Sequence, residues 1–229
     1  LILLSAHQQF SQSYVRVNSR CVVPTLVIDG KVTTDTINIL DLLAARFGTT
    51  NHCFETSAVE RALVNYWVDK AAGLFIEALT YGLVEGVKKP FPIGNASESG
   101  RSHQDKVDLL TRLVETYKKD PTLKAAYEKK RAVIETTQEA MVAPGQMSAI
   151  VDATRVELEE LANQLASGQF ADGGWLASDA FSLADVQWGA VLYRLQWVGL
   201  QPLLWEKGSI ISAYADKLFA KASFQAGVV

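Results

Sequence analysis

The chain has 229 residues, 48% of them hydrophobic, with 22 Lys and Arg against 25 Asp and Glu for a formal charge of −3. That is enough chain for one large or two small domains with a buried core, and its slight acidity carries no basic footprint for nucleic acid. No apolar run approaches the ~20 residues a bilayer-spanning helix needs, and residues 1–4 are too short for a signal peptide.

Cys21 and Cys53 are too few for a disulfide scaffold and fit a reducing compartment, the cytoplasm. His7, His52 and His103 show no metal-ligand spacing with each other or with the cysteines, so no metal is expected.

Residues 1–4 read as a strand that begins in the middle of a fold. Residues 5–18 are polar and irregular, with Phe10, Tyr14 and Val17 as apolar points, and predict a loop and a short helix. Thr25 to Ile28 and Lys31 to Thr34 are two short β-branched runs. Asp29-Gly30 between them is the two-residue turn of an antiparallel hairpin. The period then changes. Leu40, Leu43, Ala44 and Phe47 recur at helical spacing, Asp35 and Thr36 are capping residues at the start, and Gly48 is a stop. Residues 48–56 form a linker, and from residue 57 onward the pattern is helical.

A long helix with Val59, Leu63, Trp67, Ala71, Leu74 and Ala78 on one face is predicted to reach about residue 87. The Pro, Gly and Ser content of residues 88–100 breaks it. Further helices are expected over residues 104–118, from Asp120-Pro121 to about residue 141, and over residues 147–166. Ser182-Leu183-Ala184-Asp185 is a capping box, with Phe181 and Val186 at staple positions. Removing the Asp185 carboxylate from such a box is expected to cost roughly 1–2 kcal/mol.

Val23-Pro24, the hairpin, Asp35-Thr36 and the capping box at Ser182 and Asp185 together resemble the glutathione transferases. The resemblance implies an α+β chain: a thioredoxin-like domain over residues 1–48, then an all-α domain over residues 57–229. In that family the proline is cis, and the backbone of the residue before it pairs with the cysteinyl part of glutathione as an added strand. The resemblance therefore assigns glutathione binding to Val23, Pro24, Asp35 and Thr36, with the γ-glutamyl end at the acid-hydroxyl pair. The family usually has Glu-Ser there, so Asp-Thr is a mild departure. A thioredoxin-like domain also needs a β-α-β unit ahead of the hairpin. The family's catalytic Tyr, Ser or Cys lies in that unit, so the catalytic residue is expected before Leu1 and none is assigned here.

The helical segment over residues 88–144 is longer than the fold requires. With Tyr14-Val15-Arg16-Val17-Asn18 and Thr80-Tyr81-Gly82, it looks like the branch of tetrachlorohydroquinone reductive dehalogenases, with glutathione-dependent β-etherases a weaker match. That branch implies glutathione as cosubstrate, an aromatic substrate, a homodimer, and thiolate attack that displaces halide or aryloxide. A glutathione or apolar-ligand binding protein without turnover is the alternative.

The loop at His7 and Gln9 is where related enzymes bind the glycyl carboxylate, though a solvated loop fits equally. Trp67, Lys70 and Tyr81 border the substrate pocket in this fold, while aromatics at helical spacing also read as core. Cys21 lies close to Pro24 and could meet the glutathione sulfur, or be a small buried thiol.

Overall fold

A computed structural model describes residues 2–47, 58–90 and 96–227. The 48–56 linker, Gly48 as a helix stop and Cys53 lie outside the described residues. In chain order the described elements include α1 (Gln12–Val15), β1 (Thr25–Ile28), β2 (Lys31–Thr34), α2 (Thr36–Phe47), α3 (Ala58–Gly73) and α4 (Ile76–Tyr81). Then follow α5 (Ala96–Thr116), α6 (Pro121–Val142), α7 (Gln146–Ser167), α8 (Leu183–Trp197), α9 (Gln201–Leu204), α10 (Ile210–Phe219) and α11 (Ala222–Gly227). No helix among the described residues is long and apolar enough to cross a membrane.

Two compact units divide the chain. One comprises Leu1–Leu42 and Gly94–Ala143, the other Leu43–Ile93 and Pro144–Val229.

In the first unit the strand predicted at residues 1–4 is not formed among the described residues. Leu4–Ala6 is a 3-10 turn, followed by a second over Gln8–Phe10. His7 joins them in the left-handed conformation, φ 53, which reverses the chain before an extended run can form. The hairpin does form, with Thr25 opposite Thr34 and Ile28 opposite Lys31. Asp29 and Gly30 both take positive φ, 51 and 75, the geometry that matches the twist of a two-residue hairpin.

Helices α5 and α6 form the bulk of this unit and pack along each other. Asp120 accepts the Leu123 N–H at 3.1 Å, and Pro121 occupies a first-turn position where no N–H is required. α5 starts earlier than the residue patterning suggests, at Ala96, because Pro90, Pro92 and Gly94 all precede that point. The α5–α6 pair packs its core on the N-terminal segment: Phe10, Val15 and Cys21 share one cluster with Val107, Leu110, Leu123, Tyr127 and Ile134. Each large side chain so buried contributes roughly 1.5–3 kcal/mol. Two polar bonds fix the register. Tyr127 donates to the Phe10 carbonyl at 3.0 Å, and Arg16 meets Asp120 at 2.7 Å. Burial pushes the Tyr127 hydroxyl up to about 12.

In the second unit the single long helix expected from residue 57 to 87 is two. α3 ends at Gly73, Phe75 leaves helical geometry with ψ 61, and α4 then runs for six residues. The buried stripe of α3 is Val64, Trp67, Val68 and Ala71, and Val59, expected on that face, is 79% exposed. α4 stops where Lys89 reaches back and donates to the Leu79 carbonyl. Burial pulls the Lys89 amine down to about 8.

α3 packs on α8, and the Trp188 indole donates to the Trp67 carbonyl at 3.0 Å. At the start of α8 both halves of the capping box are present. The Asp185 carboxylate is fully buried and accepts from the Ser182 N–H and hydroxyl, each at 2.8 Å. It also accepts from the Leu176 N–H at 3.1 Å and the Tyr214 hydroxyl at 2.6 Å. What the sequence marks as a local cap is a junction of three chain segments.

Candidate functional site

The register of the hairpin brings two sequence motifs together. Thr25 and Thr34 are the pair at its open end, so Pro24 and Asp35 are the next residue on each side. Val23-Pro24 and Asp35-Thr36, separated in sequence by the whole hairpin, thus flank one end of the same ladder.

The Val23-Pro24 bond is cis, and Val23 is 41% exposed. Among the described residues neither the N–H nor the carbonyl of Val23 has a hydrogen-bond partner. An extended peptide laid along this edge would satisfy both groups, which is the chemistry of strand addition.

Asp35 has φ 80, the left-handed region that side chains other than those of Gly, Asn and Asp seldom enter. Two contacts hold it there. Its Oδ1 accepts the Ile37 N–H at 3.2 Å, and its Oδ2 meets the Arg20 guanidinium at 3.0 Å. Asp35 is therefore the cap of α2, and Thr36 is its first residue, with an exposed side chain. The Thr36 and Asn38 N–H groups donate to no partner among the described residues and remain available at a helix N-terminus, where a carboxylate is favoured. The donor set fits a γ-glutamyl tripeptide. Donors at α2 suit its carboxylate, the Asp35 carboxylate suits its ammonium, and the Val23 edge suits its cysteinyl backbone.

His7 and Gln9 lie on the two 3-10 turns. The His7 ring stacks on Phe10 with centroids 5.8 Å apart, and Gln9 is 8% exposed. His7 Nδ1 and Gln9 Oε1 are buried without a hydrogen-bond partner among the described residues. Cys21 is 1% exposed, and burial pushes its thiol up to about 11 against the opposing charge of Lys130. A thiol so shielded is a core group with almost no thiolate at neutral pH.

The second unit holds a cleft of about 390 Å³ between α3 and α7. Leu74, Phe75, Ile150 and Ala153 give it apolar walls, with Tyr66, Asp69, Lys70 and Glu157 at its polar side. Of the residues expected around a substrate, Lys70 lines this cleft and Trp67 does not. Trp67 is 2% exposed, with its ring against Trp188 at 6.1 Å, because its position on α3 faces α8. Tyr81, on α4, is 42% exposed and is not among the cleft-lining residues. The Lys70 ammonium sits 2.8 Å from both Glu157 and Glu160, and the Tyr66 hydroxyl donates to Glu160. The bonds to Glu157 and then Glu160 raise the Lys70 pKa, and the bonds from Lys70 and Tyr66 lower that of Glu160. Lys70 is thus a cross-strut between two helices. A phenolate entering the cleft would meet an ammonium already shared by two carboxylates.

Sequence reading alone passes over Glu157, Glu160 and Tyr66, whose i, i+3 and cross-helix spacing becomes visible only once α3 and α7 are paired. The contacts of Tyr14 and Asn18 with Thr25 are likewise visible only in the folded chain.

No protein-family model matches the chain. It is 28% identical over 223 residues to the tetrachloro-p-hydroquinone reductive dehalogenase of Sphingobium chlorophenolicum, across 96% of this chain and 80% of that protein. Among solved structures it is similar to a β-etherase from Sphingobium sp. strain SYK-6, with TM-score 0.70 and 17% identity over 99% of this chain and 85% of the other. An epsilon-class glutathione S-transferase from the housefly, Musca domestica, gives TM-score 0.58 and 15% identity over 98% of this chain and 77% of the other. At those identities the two structures share the fold.

Proposed function

We propose that this chain, a member of the glutathione S-transferase superfamily, is a glutathione-dependent enzyme that acts on aromatic electrophiles with displacement of halide or aryloxide. The observation that carries the reading is the open end of the hairpin, where the Val23 backbone, without a partner among the described residues, and the capped start of α2 offer groups complementary to one tripeptide. The likeness to a reductive dehalogenase along 96% of the chain supports the substrate class.

In this reading Val23 binds the cysteinyl backbone, Pro24 keeps that edge turned outward, and the N–H groups beside Thr36 take the γ-glutamyl carboxylate. Asp35 takes the ammonium, sharing its carboxylate with Arg20. His7 and Gln9 lie on the turns that would serve the glycyl end, with one unsatisfied polar atom each. When bound, glutathione supplies a thiol whose sulfur replaces halide or aryloxide on the aromatic substrate, giving a thioether. The cleft at Lys70 is the candidate seat for an apolar ring, since about 390 Å³ with Leu74, Phe75, Ile150 and Ala153 as apolar walls suits one substituted ring. We place the protein in the cytoplasm as a homodimer, a reading that the low cysteine content and the family resemblance support.

The test is incubation of the purified protein with glutathione and a panel of halogenated hydroquinones and β-aryl ethers. Release of halide or phenol in proportion to glutathione consumed is the expected result. Turnover of a small generic electrophile without such release would make the chain an ordinary conjugating transferase. Tight glutathione binding with no turnover of any electrophile would make it a ligand-binding protein.

A further inference from the structure

The bare Val23 edge is held in place from behind. Tyr14 Oη donates to the Val22 carbonyl at 2.6 Å and lies 2.8 Å from Thr25 Oγ1. Asn18 Nδ2 donates to the same carbonyl at 2.8 Å and to the same hydroxyl at 2.9 Å. The protons balance. Tyr14 has one, given to Val22, so Thr25 must give its own to Tyr14, and the two amide protons of Asn18 go one to each acceptor. Both lone pairs of the Val22 carbonyl are thereby used. The residues so held, Val22 and Thr25, bracket Val23-Pro24 on either side.

The clamp is itself anchored. Asn18 is 3% exposed, and its Oδ1 accepts the Arg20 N–H at 3.1 Å. Tyr14 sits on α1, whose Ser11 cap accepts the Tyr14 N–H, and the neighbouring Arg16 meets the Asp120 cap of α6. The enlarged α5–α6 segment thus buttresses the segment that carries the clamp.

We propose that Tyr14 and Asn18 are positioning residues for the cosubstrate. By holding the Val22 carbonyl they fix the plane of the Val22–Val23 peptide, whose N–H points opposite to that carbonyl, and by engaging the Thr25 hydroxyl they hold the residue after Pro24, so that the Val23 edge is pre-formed for the cysteinyl backbone of glutathione. The inference rests on the glutathione reading above. Its physical basis is pre-organisation: an edge held in its binding geometry loses no further freedom when the peptide pairs with it. In such a pairing the cysteinyl N–H donates to the Val23 carbonyl and the Val23 N–H donates to the cysteinyl carbonyl.

The test uses two ligands, glutathione and glutathione methylated on the cysteinyl amide nitrogen, titrated calorimetrically into the full chain. The parent should bind the methylated ligand about tenfold more weakly, having lost one pairing bond. In the double variant Tyr14→Phe with Asn18→Ala, glutathione should bind about tenfold more weakly, and the discrimination between ligands should fall toward one. Thr25→Val should act in the same direction and Thr25→Ser should restore parental discrimination. These two report on the clamp even where the double variant does not fold. Equal weakening of both ligands, with discrimination retained, would reduce Tyr14 and Asn18 to general support and overturn the proposal. A parent that binds glutathione without discriminating the methylated form would overturn it too, while leaving glutathione binding intact. No binding of glutathione by the parent would instead refute the underlying reading.

Discussion

Asp185→Ala is expected to lower the unfolding free energy by roughly 3–5 kcal/mol, the range for removing one partner from a buried charged network. A capping box alone accounts for roughly 1–2 kcal/mol. The difference comes from two donors outside the box. Leu176 N–H and the Tyr214 hydroxyl both end on Asp185 Oδ1, and all of these groups are buried or nearly so. Alanine would leave those donors and the Ser182 N–H without an acceptor, and each buried orphan costs about 1–3 kcal/mol. Burial and then the facing carboxylate raise the Tyr214 pKa, so the hydroxyl stays a donor throughout the neutral range. Tyr214→Phe removes one donor and strands nothing but a lone pair, so its loss should be smaller, about 1–2 kcal/mol. Because the two groups touch, the double variant should cost less than the sum of the singles. Urea denaturation followed by far-UV circular dichroism measures all three. A loss below about 1 kcal/mol for Asp185→Ala would mean that water replaces the carboxylate and that the junction is not dry.

Asp35→Ala should weaken glutathione binding by roughly 1.5–3 kcal/mol, the range for hydrogen bonds to charged groups. The carboxylate does two things in the free protein. It caps Ile37 at 3.2 Å and pairs with Arg20 at 3.0 Å, both in a half-exposed setting. Losing the cap alone costs about 1 kcal/mol of stability, and losing an exposed ion pair costs little. A binding loss larger than the stability loss therefore measures the contact to ligand. Arg20→Ala gives the complementary sign. With its competitor for Oδ2 removed, Asp35 should hold an ammonium at least as well, and glutathione affinity should not fall. Calorimetry on the two variants decides it, and unchanged affinity in Asp35→Ala would remove Asp35 from the site.

The hairpin was legible residue by residue because β-branched runs around Asp29-Gly30 admit one register. The capping box and the proline start of α6 were legible for the same reason, since each is a contact within a few residues. The break between α3 and α4 was not. Leu74 and Phe75 continue the apolar pattern, yet α3 ends at Gly73 and Phe75 takes a non-helical ψ. Trp67 shows how far a helical stripe can be read. Its spacing marked a buried face, but whether that face met α8 or a ligand depended on how α3 was turned. The clamp left a trace that periodicity does not record. Tyr14 and Asn18 are four apart, the spacing that puts two side chains on one face of a helical turn, yet their acceptors lie across a loop. Lys70 was legible as a charge, and its two glutamate partners belong to a helix nearly ninety residues further on.

Glutathione is expected to pair with the Val23 backbone at the open end of the hairpin. The measurement that tests it most directly is titration of the nitrogen-15-labelled protein with glutathione, followed by amide NMR. Saturable shifts are expected at the Val23 and Thr36 amides with a single dissociation constant, and slowed solvent exchange at the Val23 N–H once ligand is bound. Saturable glutathione binding that leaves the Val23 amide unmoved and freely exchanging would contradict it.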